Sequence, residues 1–300
     1  MKAQERKKLE DKLLAKLNSK LAEKDTVIAA ISGGADSIFL LHFLKQTKAK
    51  IVVTHLNHQL RKAADSDEKF VKELVEKIND CYSGRHREIL FVSKKIDLKS
   101  LSKKHKRGIE EMGRIERYKL FNKLAKKHQA KYILTAHHAD DNLETIILNF
   151  ARGASLEGLA GMQEVENQLF RPLLEISKKT ILSYLKDKKI PYKEDLSNKD
   201  TQYSRNFVRH EILPRLKQLN PSIEKTVASN TENLRETNKM LIAKAQSWIK
   251  NNAVSKNKIP LKNFHQKTEI LKKYIIRELY KNIVGDSKNI ENIHIQEVLT

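Results

Sequence analysis

Apolar residues follow two alternating patterns along the first half of the chain. Short apolar runs rich in β-branched residues, VIAAIS (27–32), IVVTHL (51–56), ILFVS (89–93) and YILTAH (132–137), predict strands, and LFRPLL (169–174) is a candidate fifth element. The segments 36–46, 65–79, 109–129 and 140–152 between them place apolar residues near a 3.6-residue period and predict helices. Phe70, Leu74, Val75 and Ile78 carry that period in the second segment, and Ile115, Tyr118, Leu120, Phe121 and Leu124 in the third. Strands alternating with helices in this way predict an α/β fold with a parallel sheet and helices on both faces.

The architecture is Rossmann-like, so ligands are expected just beyond the carboxyl ends of the strands. Ahead of the first strand, Leu9, Leu13, Leu14, Leu17 and Leu21 mark an amphipathic helix. After about residue 175 the strand signals stop. Helical patterns follow at 178–189, 205–218, 222–250, 265–283 and 289–299, punctuated by Pro191, Pro214 and Pro221. The predicted division is a catalytic α/β domain over 1–216 and a smaller all-helical domain over 217–300.

Directly after the first strand stands Ser32-Gly33-Gly34-Ala35-Asp36-Ser37, and a helix begins immediately behind it. A strand, a glycine turn and a helix N-terminus together aim backbone N–H groups and the positive end of a helix dipole at an anion. The glycines let phosphate oxygens approach, Ser32 and Ser37 add hydroxyls, and Asp36 is a candidate ligand for magnesium. The segment lacks the lysine of the Walker A loop and the spacing of GxGxxG. It is instead similar to the SGGxDS signature of the PP-loop ATP pyrophosphatases. That resemblance implies cleavage of ATP between the α and β phosphates, transfer of AMP to an oxygen of the acceptor, and displacement of AMP by a nucleophile.

Charge narrows the acceptor. The 300 residues hold 59 Lys+Arg against 37 Asp+Glu, a formal charge of +22. Residues 1–150 carry 32 basic and 20 acidic side chains and residues 151–300 carry 27 and 17, so the excess covers the whole body. A polyanion such as RNA, docked on both halves and released by salt, is the expected partner. No apolar run approaches the roughly 20 residues that span a bilayer, and the charged N-terminus lacks the pattern of a secretory signal. A cytoplasmic protein without membrane contact is therefore expected. One cysteine, Cys81, permits neither an internal disulfide nor a cysteine-ligated zinc or iron–sulfur centre.

Two further clusters follow strands. His55-Leu56-Asn57-His58-Gln59-Leu60-Arg61 offers two histidines without a third ligand nearby; they read as loop and packing residues, with Arg61 placed for a phosphate. Thr135-Ala136-His137-His138-Ala139-Asp140-Asp141-Asn142-Leu143-Glu144-Thr145 is the densest polar segment in the chain. Asp141 and Glu144 share a face of the first helical turn, and beside bound ATP they need a cation, either magnesium or a substrate amine. Helix capping by Asp140 or Asp141 accounts for the same residues and is compatible with that role. Further on, Arg205, Asn206 and Arg209 lie along one helical side at a spacing suited to a phosphodiester strand, with Phe207, Val208, Ile212 and Leu213 read as the buried side.

HADDNLETIILNFARGASLEGLAGM, HLNHQLR, EMGRIERY, RPLL and EDLSNKDTQYSRNFVRHEILPRL together resemble the bacterial tRNA(Ile)-lysidine synthase family, in family order from residue 27 to about 216. Leu196 and Gly113 depart from it, standing where proline and alanine are usual. The resemblance implies a ligase that uses ATP and magnesium to join free L-lysine to C2 of the wobble cytidine of an isoleucine tRNA bearing a CAU anticodon. It further implies that Ser32 to Ser37 bind ATP, that Asp36 and Asp141 hold magnesium, and that Arg114 stabilises charge on the phosphate or adenylate. His137, Asp141 and Glu144 place the lysine and the metal, while Arg61, Arg205, Asn206 and Arg209 contact tRNA. A homodimer is one option for assembly that the sequence leaves open. Two alternatives remain beside this one: a PP-loop enzyme that adenylates a small molecule, and a non-catalytic RNA-binding protein. The lone cysteine separates the chain from the related cytidine thiolases, which need a pair.

Overall fold

A computed structural model of the chain describes residues 1–60, 64–81, 89–193, 204–255, 258–285 and 292–299. Among the described residues six strands form one sheet: β1 (Thr26–Ala30), β2 (Lys50–Asn57), β3 (Leu90–Lys95), β4 (Tyr132–Leu134), β5 (Val165–Glu166) and β6 (Leu169–Phe170). Their order is β3-β2-β1-β4-β6-β5, parallel except for the antiparallel β5. The register pairs Val27 with Ile51 and Tyr132, and Ile28 with Val52 and Ile133.

Alternate strand residues enter two different cores, which is why these strands carry no polar alternation. Val27, Ala29, Ile51 and Val53 pack with Phe39, Phe43, Val71, Val75 and Tyr184 on one face. Ile28, Val52 and Ile133 pack with Leu120, Phe121 and Leu124 on the other. The helices that supply these layers are α1 (Ala3–Lys20), α2 (Ala35–Leu44), α3 (Ala64–Cys81), α5 (Ile109–Lys127) and α8 (Lys178–Asp187). The predicted leucine stripe of α1 is real, with Leu13, Leu17 and Leu21 buried in the first core.

Two elements of the sheet half escape periodicity. Helix α4 (Leu98–His105) is short and mostly polar, and Asp97 starts it by accepting the Ser100 N–H at 3.1 Å. Strand β5 has two residues, and the LFRPLL run yields a strand only over Leu169–Phe170, because Pro172 brings no N–H to a ladder.

By compactness the chain divides elsewhere than at residue 216. One unit comprises Met1–Asn142 and Gln163–Lys199, the other Leu143–Met162 and Asp200–Thr300. Helix α6 (Ala139–Ala151) begins in the first unit, but its later residues Leu143, Ile147 and Leu148 pack with Val208, Leu213 and Leu216 of the second. The second unit is helical: α7 (Leu156–Leu159), α9 (Ser204–Phe207), α10 (Leu213–Leu219), α11 (Ile223–Asn252), α12 (Leu261–His265), α13 (Glu269–Val284) and α14 (Asn292–Leu299). A π-helical turn, Val208–Ile212, joins α9 to α10, with the Leu213 N–H reaching back to the Val208 carbonyl. Pro214 follows at once, in the first turn of α10, where its missing N–H costs no helical hydrogen bond. Trp248 packs beside Phe264 with ring centroids 6.2 Å apart, in the core shared by α11 and α13.

Acid sensitivity is built into the first core. The Tyr184 hydroxyl donates to Glu10 at 2.8 Å and lies 3.1 Å from His42 Nε2, tying α1, α2 and α8 together. Burial, reinforced by Lys45 and Lys188, lowers the His42 pKa from 6.5 to about 4, and burial beside Arg117 lowers that of His58 to about 4. The unfolded chain therefore takes up these protons at a higher pH than the folded one. Stability is full above about pH 6.5 and falls as pH drops from there towards 4. The thermal midpoint is expected to fall between about pH 7.5 and about pH 5, and to fall less in His42→Leu; an equal fall in both proteins would refute the assignment to His42.

Candidate nucleotide site

The loop after β1 is organised by its own hydroxyls. Gly33 has φ +93°, a conformation open to glycine, and a Cβ there would lie 3.3 Å from Val71 Cγ2. The Ser37 hydroxyl accepts the Gly33 N–H at 3.2 Å and donates to the Gly34 carbonyl at 2.9 Å, while Ser32 Oγ accepts the Gly34 N–H at 3.4 Å. From the far side, the Lys193 N–H donates to the Gly33 carbonyl at 2.9 Å. Gly34 is the N-cap of α2, and Ala35, Asp36 and Ser37 form its first turn. The N–H groups that a phosphate needs thus point at oxygen acceptors of the loop itself, which an arriving anion can replace.

Around Asp36 gather His138, Asp140, Asp141 and Lys178. His138 and Asp141 form a reciprocal cap at the start of α6: the His138 N–H donates to Asp141 Oδ2 at 3.0 Å, and the Asp141 N–H donates to His138 Nδ1 at 3.4 Å. With Nδ1 accepting, the ring proton sits on Nε2, which faces Asp141 Oδ2 at 3.4 Å and Asp36 Oδ2 at 3.7 Å. Asp140 accepts the Lys178 N–H at 2.7 Å and so caps α8. The Lys178 ammonium donates to both oxygens of Asp36, at 2.6 Å and 2.8 Å.

The predicted residues separate into groups. Ser32, Gly33, Gly34, Ala35, Asp36 and Ser37 form the loop, and Asp141 lies near Asp36 through His138. His137, half-buried, turns its Nδ1 to the Thr135 hydroxyl at 2.8 Å, and the neighbouring His138 occupies the centre of the cluster. Arg114 is exposed on α5, its guanidinium 5.7 Å from the Tyr118 ring centroid. Arg61 lies outside the described residues, as does Leu196. Gly113 is buried on α5, and a Cβ there would lie 3.2 Å from Leu98 Cδ1, so the α4–α5 packing is fitted to glycine.

Glu144 belongs to the second unit and is wholly buried. Arg205 Nε donates to its Oε2 at 2.8 Å, while Arg209 donates through Nε to Oε1 at 2.6 Å and through Nη2 to Oε2 at 2.9 Å. Both carboxylate oxygens thus accept from guanidinium donors. Asn206 is half-buried beside them. Phe207, expected on the buried side, is 48% exposed while Val208 and Leu213 are buried, because the π turn shifts the helical period just behind it.

His138 and Asp140 stand within the HADDNLET segment, where sequence singles out Asp141 and Glu144, and Lys178 lies outside every motif. The signal for Lys178 was its place one residue after the helix-capping Ser177, which fixes where α8 starts but not what its side chain meets. Among the described residues, no group of three or more His, Cys, Asp and Glu side chains is arranged to hold a metal ion. Magnesium characteristically takes one or two carboxylates together with substrate phosphates. A carboxylate whose two oxygens already hold an ammonium fits that pattern, and Asp36 is its candidate ligand.

The model of the PP-loop domain family matches residues 5–216. Over 212 residues, 69% of this chain and 44% of the relative, the chain is 41% identical to the tRNA(Ile)-lysidine synthase of Porphyromonas gingivalis. Over 287 residues, 92% of this chain and 43% of the relative, it is 32% identical to the bifunctional protein TilS/HprT of Listeria monocytogenes. The chain spans less than half the length of these curated relatives. Among solved structures, the U34-tRNA thiolase NcsA of Methanococcus maripaludis with its 4Fe-4S cluster matches with a TM-score of 0.60 and 15% identity, covering 75% of this chain and 78% of that one, which shows a shared fold. With a glycine loop poised for phosphate at the end of β1, and a family model matching well over half its length, the chain belongs to the PP-loop domain family, which implies the use of ATP.

Proposed function

We propose that the protein is a ligase that joins the ε-amine of free L-lysine to C2 of the wobble cytidine of a CAU-anticodon isoleucine tRNA, at the expense of ATP. The observation that carries the proposal is the 41% identity to a tRNA(Ile)-lysidine synthase over the nucleotide-binding region. The intact loop and the histidine–aspartate cluster beside it support it. Residues 1–216 are assigned to ATP binding and catalysis and 217–300 to tRNA binding, a division of labour rather than of compactness. The place of action is the cytoplasm.

The urea-like C2 oxygen of cytidine is a poor leaving group. In the first step that oxygen attacks the α phosphorus of ATP, the α–β bridging bond breaks, and pyrophosphate remains in the Ser32–Ser37 loop. In the second, the lysine amine, having lost a proton, attacks C2 and expels AMP. Asp36 and Asp141 are assigned to magnesium, which when bound screens the phosphate charge, and Arg114 to the charge on the phosphate or adenylate. His138, whose Nε2 proton faces both carboxylates, keeps Asp141 oriented, and His137 or a nearby carboxylate accepts the lysine proton. Arg61, Arg205, Asn206 and Arg209 are assigned to tRNA. Glu144 is assigned to lysine, and any such contact shares its carboxylate with Arg205 and Arg209.

Incubation with ATP, magnesium, labelled lysine and a CAU-anticodon isoleucine tRNA transcript is expected to put label in the RNA, with AMP and pyrophosphate released in step. Absence of label, or equal labelling of a CAU methionine tRNA, would defeat the proposal. Pyrophosphate release independent of any tRNA would point to an enzyme of small molecules.

A further inference from the structure

Lys178 has no part in the chemistry above, yet it makes a closer contact with Asp36 than His138 does. Its backbone is fixed twice: its N–H donates to Asp140 Oδ2 at 2.7 Å, and the helix it opens is capped by the Ser177 hydroxyl, which accepts the Thr180 N–H at 3.2 Å. The ammonium beyond that fixed point is the end of a flexible four-carbon arm. It spans both oxygens of Asp36, at 2.6 Å and 2.8 Å, and its side chain is 37% exposed.

The ammonium therefore occupies the carboxylate face that a metal ion needs. A divalent cation arriving alone must displace it and also give up tightly held water. It gains little in return, since the described residues offer no cluster of three carboxylate, histidine or thiol ligands to replace that water. A metal ion arriving on a nucleotide brings its own phosphate ligands, and those phosphates are a new anionic partner for the displaced ammonium.

We propose that Lys178 is a positioning residue that stands in for the metal on Asp36 while the loop is empty and transfers to the nucleotide phosphates when the metal–ATP complex binds, so that metal enters with nucleotide and not before it. The inference rests on reading Asp36 as the metal-facing residue of an ATP site, and it does not depend on the identity of the acceptor RNA.

The test is binding of manganese, as a magnetic substitute for magnesium, followed by electron paramagnetic resonance without nucleotide or RNA. The wild-type protein and K178R, which keep a cation on Asp36, are expected to bind manganese weakly. K178M and K178Q are expected to bind it tighter by about tenfold, and the double variant K178M/D36N to return to weak binding. With a non-hydrolysable ATP analogue present, K178M is expected to bind the analogue about tenfold more weakly than the wild type. Manganese affinity equal in wild type, K178M and K178Q, tight binding that survives D36N, or unchanged affinity for the analogue would each overturn the inference. Near-ultraviolet circular dichroism of both neutral variants checks folding. Labelled-lysine transfer by the wild-type protein tests the ligase reading separately, so either can fail while the other stands.

Discussion

Glu144→Ala is expected to destabilise the protein by about 3 kcal/mol in denaturant-induced unfolding. The carboxylate is fully buried and accepts hydrogen bonds from Arg205 Nε and from Arg209 Nε and Nη2. Deleting it removes the carboxylate that both guanidiniums share, and their mutual repulsion adds to the lost bonds. Their side chains are 31% and 32% exposed, so water recovers part of the loss, which places the effect at the low end for a broken buried pair. Glu144→Gln keeps one acceptor oxygen and the packing, and should fall between alanine and the wild type. Removing both arginines together with Glu144 should cost less than the sum of the separate changes, because the three groups act as one network. A Glu144→Ala protein within about 0.5 kcal/mol of the wild type would show that the pairing does not contribute to stability. If Glu144 also receives the substrate amine, Glu144→Gln should raise the KM for lysine beyond any change in kcat.

The contrast between Glu144 and the loop shows what a linear pattern can carry. Strands β1, β2 and β4 are legible because parallel strands covered on both faces need uninterrupted apolar runs, and the loop is legible because its donors are contiguous; β3 is an edge strand with Leu90, Lys94 and Lys95 exposed, and its short apolar run alone marks it. Partners far apart in sequence are not legible. Lys178 meets Asp36 across 142 positions and Arg209 meets Glu144 across 65, and no local period encodes either meeting. The i, i+4 spacing of Arg205 and Arg209 predicts a phosphate-facing pair; that spacing does bring them to one anion, Glu144 of the protein itself. His137 and His138 are adjacent where a strand turns into a helix. Which ring faces Asp36 depends on the rotation of that turn, fixed by the His138–Asp141 cap. Phe207 departs from the predicted buried side for a related reason, since the π turn that follows it breaks the 3.6-residue count.

Asp36→Asn is expected to lower AMP formation by about a hundredfold or more, while tRNA affinity and the unfolding midpoint stay close to the wild type. Asparagine keeps the volume and one acceptor oxygen but removes the charge that attracts both Lys178 and a metal ion. The ion pair it breaks is part-exposed, with side-chain exposures of 37% and 29%, so the released ammonium finds water and the stability change stays below about 1 kcal/mol. Loss of activity then reflects loss of the carboxylate from the nucleotide site rather than unfolding. Labelled ATP followed to AMP, filter binding of the tRNA transcript and thermal unfolding, made on one preparation, separate these terms. AMP formation at the wild-type rate would remove Asp36 from the reaction, and a joint loss of RNA binding and the folding transition would show that the substitution acts through the fold. Because Gly34 and Ser37 set the start of α2 without help from the Asp36 carboxylate, the loop itself should survive the change, and the lost function should be that of one missing charge.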